Sequence, residues 1–238
     1  MATFVLVHGG GHGGWCYRAV ARRLRAAGHQ VLAPSLTGCG DRAHLLGPDV
    51  DLDTHITDIV GLMDYEDLTD VILVGHSYGG MVITGVADRA AARIRELVYL
   101  DAAHPSDGES LAIVAPAQME PTYAGARTVD GVELVMFPFP GMAAFFGITD
   151  PEAAAWTEAK LTPHPWKCFA QPLRLRNGDA AARLPRTNIN CTESLAASPE
   201  DRRARQLEGD RNFEIDTGHD LMITEPEKVA AMLLEVAG

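Results

Sequence analysis

The stretch Val71-Ile72-Leu73-Val74-Gly75-His76-Ser77-Tyr78-Gly79-Gly80-Met81-Val82-Ile83 runs apolar, breaks at a glycine, presents a serine and resumes with helical spacing. That order reads as strand, sharp turn, helix. A serine at such a turn is held in a strained backbone that lifts its hydroxyl clear of the sheet edge. Gly75 and Gly79 bracket it because side chains there would collide with the neighbouring strand and helix. The Tyr78 N–H opens the helix, so an anion forming beside Ser77 would meet an unpaired donor and the positive end of a dipole. A bare G-x-S-x-G is also the pattern of an ordinary glycine-rich turn. The β-branched residues before it and the helix after it favour a nucleophile.

On either side of this turn, strand-like runs alternate with helical ones. Thr3-Phe4-Val5-Leu6-Val7 is a short continuous apolar run, as in a strand buried on both faces. It leads into His8-Gly9-Gly10-Gly11-His12-Gly13-Gly14-Trp15, where so many glycines require close backbone approach or positive φ. A helix through Tyr17, Val20, Ala21 and Leu24 ends at Gly28, and Val31-Leu32-Ala33-Pro34 follows as a strand. Ile56, Ile59, Val60 and Met63 mark a helix before the Ser77 strand, and Leu97-Val98-Tyr99-Leu100 is the strand after its helix. From His104 to about Pro185 the alternation lapses into prolines and large apolar residues, among them Met119, Met136, Phe137, Phe139, Phe145, Phe146, Trp156 and Trp166. It resumes with Thr187-Asn188-Ile189-Asn190-Cys191, a charged helix, Asn212-Phe213-Glu214-Ile215 and a terminal amphipathic helix. The pattern predicts an α/β fold whose mostly parallel sheet of about six strands is flanked by helices. Residues 1–103 and 186–238 would form its core, and 104–185 an inserted cap, since a structureless loop of that length is unusual inside a compact domain.

The 238 residues, 47% of them hydrophobic, suffice for one continuous core, and the net charge of −12 disfavours nucleic-acid or anionic-membrane partners. No apolar stretch reaches a membrane span, and Met1 leads almost directly into a strand-like run without a signal-type leader. Cys16, Cys39, Cys168 and Cys191 are scattered, without metal or disulfide spacing. The expectation is a reduced, cytoplasmic protein without metal or other cofactor; a homodimer is compatible with the sequence.

Together these pieces resemble the α/β-hydrolase fold, and within it the branch of plant methyl esterases, hydroxynitrile lyases and their bacterial relatives. Phe4-Val5-Leu6-Val7-His8-Gly9 with His12-Gly13-Gly14-Trp15 is similar to that branch's first strand and oxyanion loop. Gly75-His76-Ser77-Tyr78-Gly79-Gly80 is similar to its nucleophile elbow, and Gly218-His219 before Glu225-Pro226 to its histidine loop. The resemblance implies Ser77 as nucleophile, His219 as base, and the Gly10 N–H as second oxyanion donor beside that of Tyr78. His8, His12 and His76 are given loop-packing roles. The acid departs from the family pattern, because the position where an aspartate is expected carries Ser194. Asp101, at the C-terminal edge of the strand next to the nucleophile strand, is the preferred replacement, and Glu193 the alternative.

The implied reaction is hydrolysis of a carboxylic ester or lactone through a Ser77 acyl-enzyme. Trp156, Trp166, Phe145 and Phe146 are candidates to line a pocket for a hydrophobic or aromatic small molecule. Two rival readings remain at this point. The lyases of the branch place a lysine directly after the histidine to steady cyanide, and here Asp220 opposes that charge. A ligand-binding protein with a vestigial hydrolase site is the other.

Overall fold

The structure, a computed structural model, describes residues 1–178 and 180–238. Among these residues the strands are β1 (Thr3–Val7), β2 (Gln30–Leu32), β3 (Val71–His76), β4 (Ile94–Leu100), β5 (Arg127–Val129), β6 (Val132–Val135), β7 (His164–Pro165), β8 (Arg186–Cys191) and β9 (Arg211–Ile215). Six of them form one parallel sheet in the order β2-β1-β3-β4-β8-β9. The order reverses direction around β1 and β3, and such sheets carry their sites at the carboxyl ends of the strands near that point.

Parallel strands are covered on both faces, which explains the unbroken apolar runs. Val5, Val7, Leu73 and Tyr99 face one layer, packed with Ile56, Ile59 and Met63 of the Leu52–Tyr65 helix and Met81 to Val86 of the Gly79–Ala90 helix. Phe4, Leu6, Ile72, Val74, Val98 and Leu100 face the other, against Val20 and Leu24 of the Arg18–Ala26 helix and Val229 and Leu233 of the Pro226–Ala237 helix. Asp51 starts the Leu52–Tyr65 helix through a reciprocal capping box with Thr54.

β2 is shorter than the sequence suggests. It pairs with β1 only from Gln30 to Leu32, because Pro34 has no N–H and the Ala33 carbonyl is packed against the Gly14 backbone. The segment between β4 and β8 holds more order than expected. It contains a second, antiparallel sheet β5-β6-β7, short helices such as Pro116–Ala124, Pro151–Glu158 and Trp166–Ala170, and a small apolar cluster of Met142, Ala143, Phe146, Ile148 and Leu161. Sequence patterning missed these strands because β5 is exposed along its whole length and β7 is only two residues long.

Candidate active site

β3 delivers Ser77 to the carboxyl edge of the sheet in the left-handed region, at φ 53°. Close approach explains the flanking glycines: a Cβ on Gly75 would lie 2.6 Å from the Gly79 carbonyl oxygen, and one on Gly79 2.7 Å from that of Val7. The elbow is tied to its neighbour β4 by the Ala103 N–H donating to the Ser77 carbonyl at 3.0 Å. Ser77 is half-buried, and among the described residues its hydroxyl makes no hydrogen bond.

β4 ends at Leu100, and Asp101 turns out of the sheet with φ 45°, again left-handed. Two non-glycine residues in this conformation on adjacent strand ends mark stored strain of the kind found at functional sites. Asp101 is buried, and its oxygens accept from His219 Nδ1 at 2.5 Å, the Ser194 hydroxyl at 2.7 Å, the Cys191 N–H at 3.2 Å and the Cys191 thiol at 3.3 Å. Burial alone would raise its pKa, but the hydrogen bonds from His219, Ser194 and Cys191 and the His219 charge outweigh burial and hold it below its ordinary 3.8. Conversely, burial pulls His219 down, but the hydrogen bond and charge of Asp101 leave it raised above 6.5. Glu193, the alternative acid, is exposed in the first turn of the Thr192–Ala197 helix and is not brought to His219.

The loop after β1 brings Gly9 against the elbow, where an added Cβ would sit 2.8 Å from Ser77 Cβ. Neither the Gly10 N–H nor the Tyr78 N–H donates to a described group. Unpaired buried amides are rare, and an unpaired N–H is a donor open to an anion. Two residues that sequence reasoning did not single out for the site stand over the glycines: a Cβ on Gly10 would lie 2.6 Å from Phe169 Cζ and 3.1 Å from Met136 Sδ. Met136 is itself left-handed at φ 58°, a distortion that no residue pattern announces.

Of the four aromatic candidates, the structure brings Phe146 to the histidine loop, where its carbonyl accepts the Asp220 N–H at 2.9 Å. Phe145 is 78% exposed, with its ring edge-on to Phe139. Trp156 packs edge-on against Trp15, and Trp166 against Tyr123 and Phe169. An open cavity of about 430 Å³ lined by Tyr99, His104, Arg186 and Arg205 contains none of Ser77, His219 or Gly10.

Behind Tyr78, the ligand atoms of His55, His164 and Cys168 lie within 4.8 Å of one another, a grouping that spacing along the chain did not reveal. Both His55 nitrogens are engaged, Nδ1 accepting from the Tyr78 hydroxyl at 3.0 Å and Nε2 donating to the Thr37 carbonyl at 2.9 Å. Burial pushes the Cys168 thiol well up, which keeps it protonated. These groups fit a packed neutral cluster better than a metal ligand set.

Burial also pulls His8 and His76 down to about 3 and His104 to about 4, and lowers His55 and His164. Each is neutral in the fold but protonates in the unfolded chain below 6.5, so the unfolded state binds more protons and stability is lost as pH falls. At about pH 5 this costs about 2 kcal/mol for each strongly shifted histidine. His12 and His219, with raised values, act in the opposite sense, but the lowered histidines outnumber them five to two. The melting temperature is therefore expected to drop steeply from about pH 6.5 to about pH 5. A flat or rising melting profile across that interval would contradict the neutral buried histidines.

A parallel sheet with a strand–turn–helix elbow at Ser77 and an imidazole bound to a carboxylate at its carboxyl edge is the architecture of an α/β-hydrolase, and residues 4–232 match the alpha/beta hydrolase family. The chain belongs to that family, on the methylesterase branch. It is 42% identical over 243 residues to a carbendazim hydrolyzing esterase of Nocardioides sp. (strain SG-4G), with 98% of each chain covered. To salicylic acid-binding protein 2 of Nicotiana tabacum it is 28% identical over 257 residues, covering 98% of this chain and 96% of the relative. Among solved structures, an extracellular alpha/beta-hydrolase from a Paenibacillus species superposes with a TM-score of 0.84 at 27% identity, covering 99% of this chain and 98% of that one.

Proposed function

We propose that this ester hydrolase works through a Ser77–His219–Asp101 triad and a covalent acyl-Ser77 intermediate, with the Gly10 and Tyr78 amides as the oxyanion hole. The observation that carries the reading is the 2.5 Å hydrogen bond from His219 Nδ1 to Asp101, which leaves Nε2 as the basic nitrogen of the imidazole. Ser77 Oγ attacks the ester carbonyl carbon while His219 Nε2 takes its proton. The carbonyl oxygen becomes an anion between the two amides, and collapse expels the alcohol, which leaves with the proton held on His219. Water, deprotonated by the same nitrogen, then attacks the acyl carbon, releases the acid and restores Ser77.

Residues 104–185 act as a cap over the core formed by 1–103 and 186–238. Its Phe169 and Met136 lie on Gly10, and a Cβ on its Gly147 would sit 2.4 Å from Gly218 Cα, beside the base. An apolar roof over the reaction centre suits a hydrophobic or aromatic small-molecule ester or lactone, in keeping with the relative that hydrolyses carbendazim. Hydrolysis is favoured over cyanide-releasing lyase chemistry because the residue after His219 is a buried carboxylate already paired with His12 at 2.8 Å. Four free, buried cysteines suit a reducing compartment such as the cytoplasm, and no helix among the described residues is long and apolar enough to cross a membrane.

The test is a pre-steady-state assay with a nitrophenyl ester. A stoichiometric burst of nitrophenolate and an acyl mass on the peptide carrying Ser77 are expected. Binding without burst or adduct would support the vestigial-site reading instead.

A further inference from the structure

We propose that Asp220 and His12 form a buried ion pair that positions the oxyanion loop against the histidine loop, Asp220 acting on Gly10 through His12. The inference rests on the serine-hydrolase reading above. Asp220 directly follows His219, and His12 lies 208 residues away in the loop after β1. Their side chains are 0% and 1% exposed, and Asp220 Oδ2 lies 2.8 Å from His12 Nε2. The other ring nitrogen, Nδ1, lies 2.8 Å from the Gly10 carbonyl oxygen.

Both ring nitrogens therefore face acceptors. A carbonyl oxygen and a carboxylate cannot donate, so each nitrogen carries a hydrogen and the ring is an imidazolium opposite a carboxylate. The electrostatics agree: burial would discharge both groups, but the Asp220 charge and hydrogen bond leave His12 raised, and the His12 charge leaves Asp220 lowered. Packing fixes the ring, which stacks on Trp15 at 5.4 Å and meets the Phe146 ring edge-on at 5.0 Å.

A pair that merely held two loops together would be served as well by apolar side chains of similar volume. What the imidazolium adds is direction. Gly9, Gly10 and Gly11 have no side chains to fix their orientation; besides the Thr162 N–H, which donates to the Gly11 carbonyl at 2.9 Å, the loop is held by imidazoles. His8 Nδ1 donates to the Gly9 carbonyl at 2.8 Å, and the Gly11 N–H donates to His164 Nδ1 at 3.4 Å. Among the described residues, the sole hydrogen bond to the Gly10 backbone is the one from His12. Gly10 is the residue whose N–H must meet the oxyanion. Because the other end of the pair is the neighbour of the base, one contact sets the distance between proton acceptor and oxyanion donor.

The variants Asp220→Ala, Asp220→Asn and the double change His12→Phe with Asp220→Leu separate this role from general stability. In Asp220→Asn the new amide can donate to a neutral His12 Nε2, leaving Nδ1–H on the Gly10 carbonyl, so turnover should survive. Asp220→Ala is expected to lower kcat about 100-fold, the scale of a misplaced catalytic group, while KM stays within about 3-fold. Affinity for a trifluoromethyl ketone, which mimics the tetrahedral anion, should fall in parallel. The double variant leaves no charge buried alone, so it should fold if Asp220→Ala does not, and show the same loss of kcat. Wild-type kcat in a folded Asp220→Ala or double variant would overturn the proposal, as would an equal loss in Asp220→Asn and Asp220→Ala. If the unaltered enzyme gave neither turnover nor a Ser77 adduct, the serine-hydrolase reading itself would fall, and this inference with it.

Discussion

Ser77→Ala is expected to reduce ester turnover by about 10⁶-fold, the cost of removing the nucleophile from the proposed triad, whose members act as a unit. The fold should be untouched. Among the described residues the hydroxyl has no hydrogen bond to lose, and the elbow is held by backbone contacts of Ser77 that alanine retains: its carbonyl accepts from Gly80 and Ala103 at 3.0 Å. Alanine at φ 53° carries the same left-handed strain as serine, so the backbone cost is unchanged. Melting temperatures of the two proteins should agree within about 2 °C. The residual rate that oxyanion binding alone can supply sets the floor, and it should still fall when Gly10 is disturbed. Near-normal turnover by a well-folded Ser77→Ala protein would remove the foundation of the mechanism.

How much of this arrangement the chain announces depends on the range over which each signal acts. The parallel sheet is legible because β3 and β4 must be apolar on both faces, and the elbow because the glycines that its close approaches require stand two residues either side of Ser77 in the sequence. The sheet β5-β6-β7 is not legible, since an exposed strand carries no alternation and a two-residue strand no pattern at all. Placement of pocket side chains fails for a related reason. Phe145 and Phe146 are adjacent and chemically identical, yet one is 78% exposed and the other 8%, a difference set by the turn between Gly141 and Gly147 rather than by either residue. Met136 and Phe169 reach Gly10 through contacts across more than a hundred residues, for which no local signal exists. His12 was readable only as a loop residue; that it opposes a carboxylate emerges when the ends of β1 and β9 are both seen at one edge of the sheet.

The acid was the part of the site that sequence left between two residues, and it makes the sharpest remaining forecast. Ser194, standing where the family resemblance calls for an aspartate, donates its hydroxyl to Asp101, so in the proposed triad the vacated position would support the carboxylate that takes its place. Asp101→Asn should keep this seat, because the Cys191 N–H can still donate to an amide oxygen in the Oδ1 place and the Ser194 hydroxyl, which faces the Oδ2 place, can turn to accept from the amide nitrogen. The amide nitrogen, however, would present a donor to His219 Nδ1 and impose the wrong tautomer, with an expected loss of about 10⁴-fold in kcat. Glu193→Gln, on an exposed side chain, should leave turnover unchanged. The pH profile supplies an independent reading. His219 must be neutral to accept the Ser77 proton, and Asp101 holds its pKa above 6.5, so kcat/KM of the unaltered enzyme should fall as pH drops through a midpoint above 6.5. Without the carboxylate the imidazolium loses its partner and the pKa falls, so the residual activity of Asp101→Asn should keep its acid limb at lower pH. A limb that does not move, or a Glu193→Gln enzyme as impaired as Asp101→Asn, would assign the acid elsewhere while leaving Ser77 and His219 in place, since those two rest on separate loops and separate contacts.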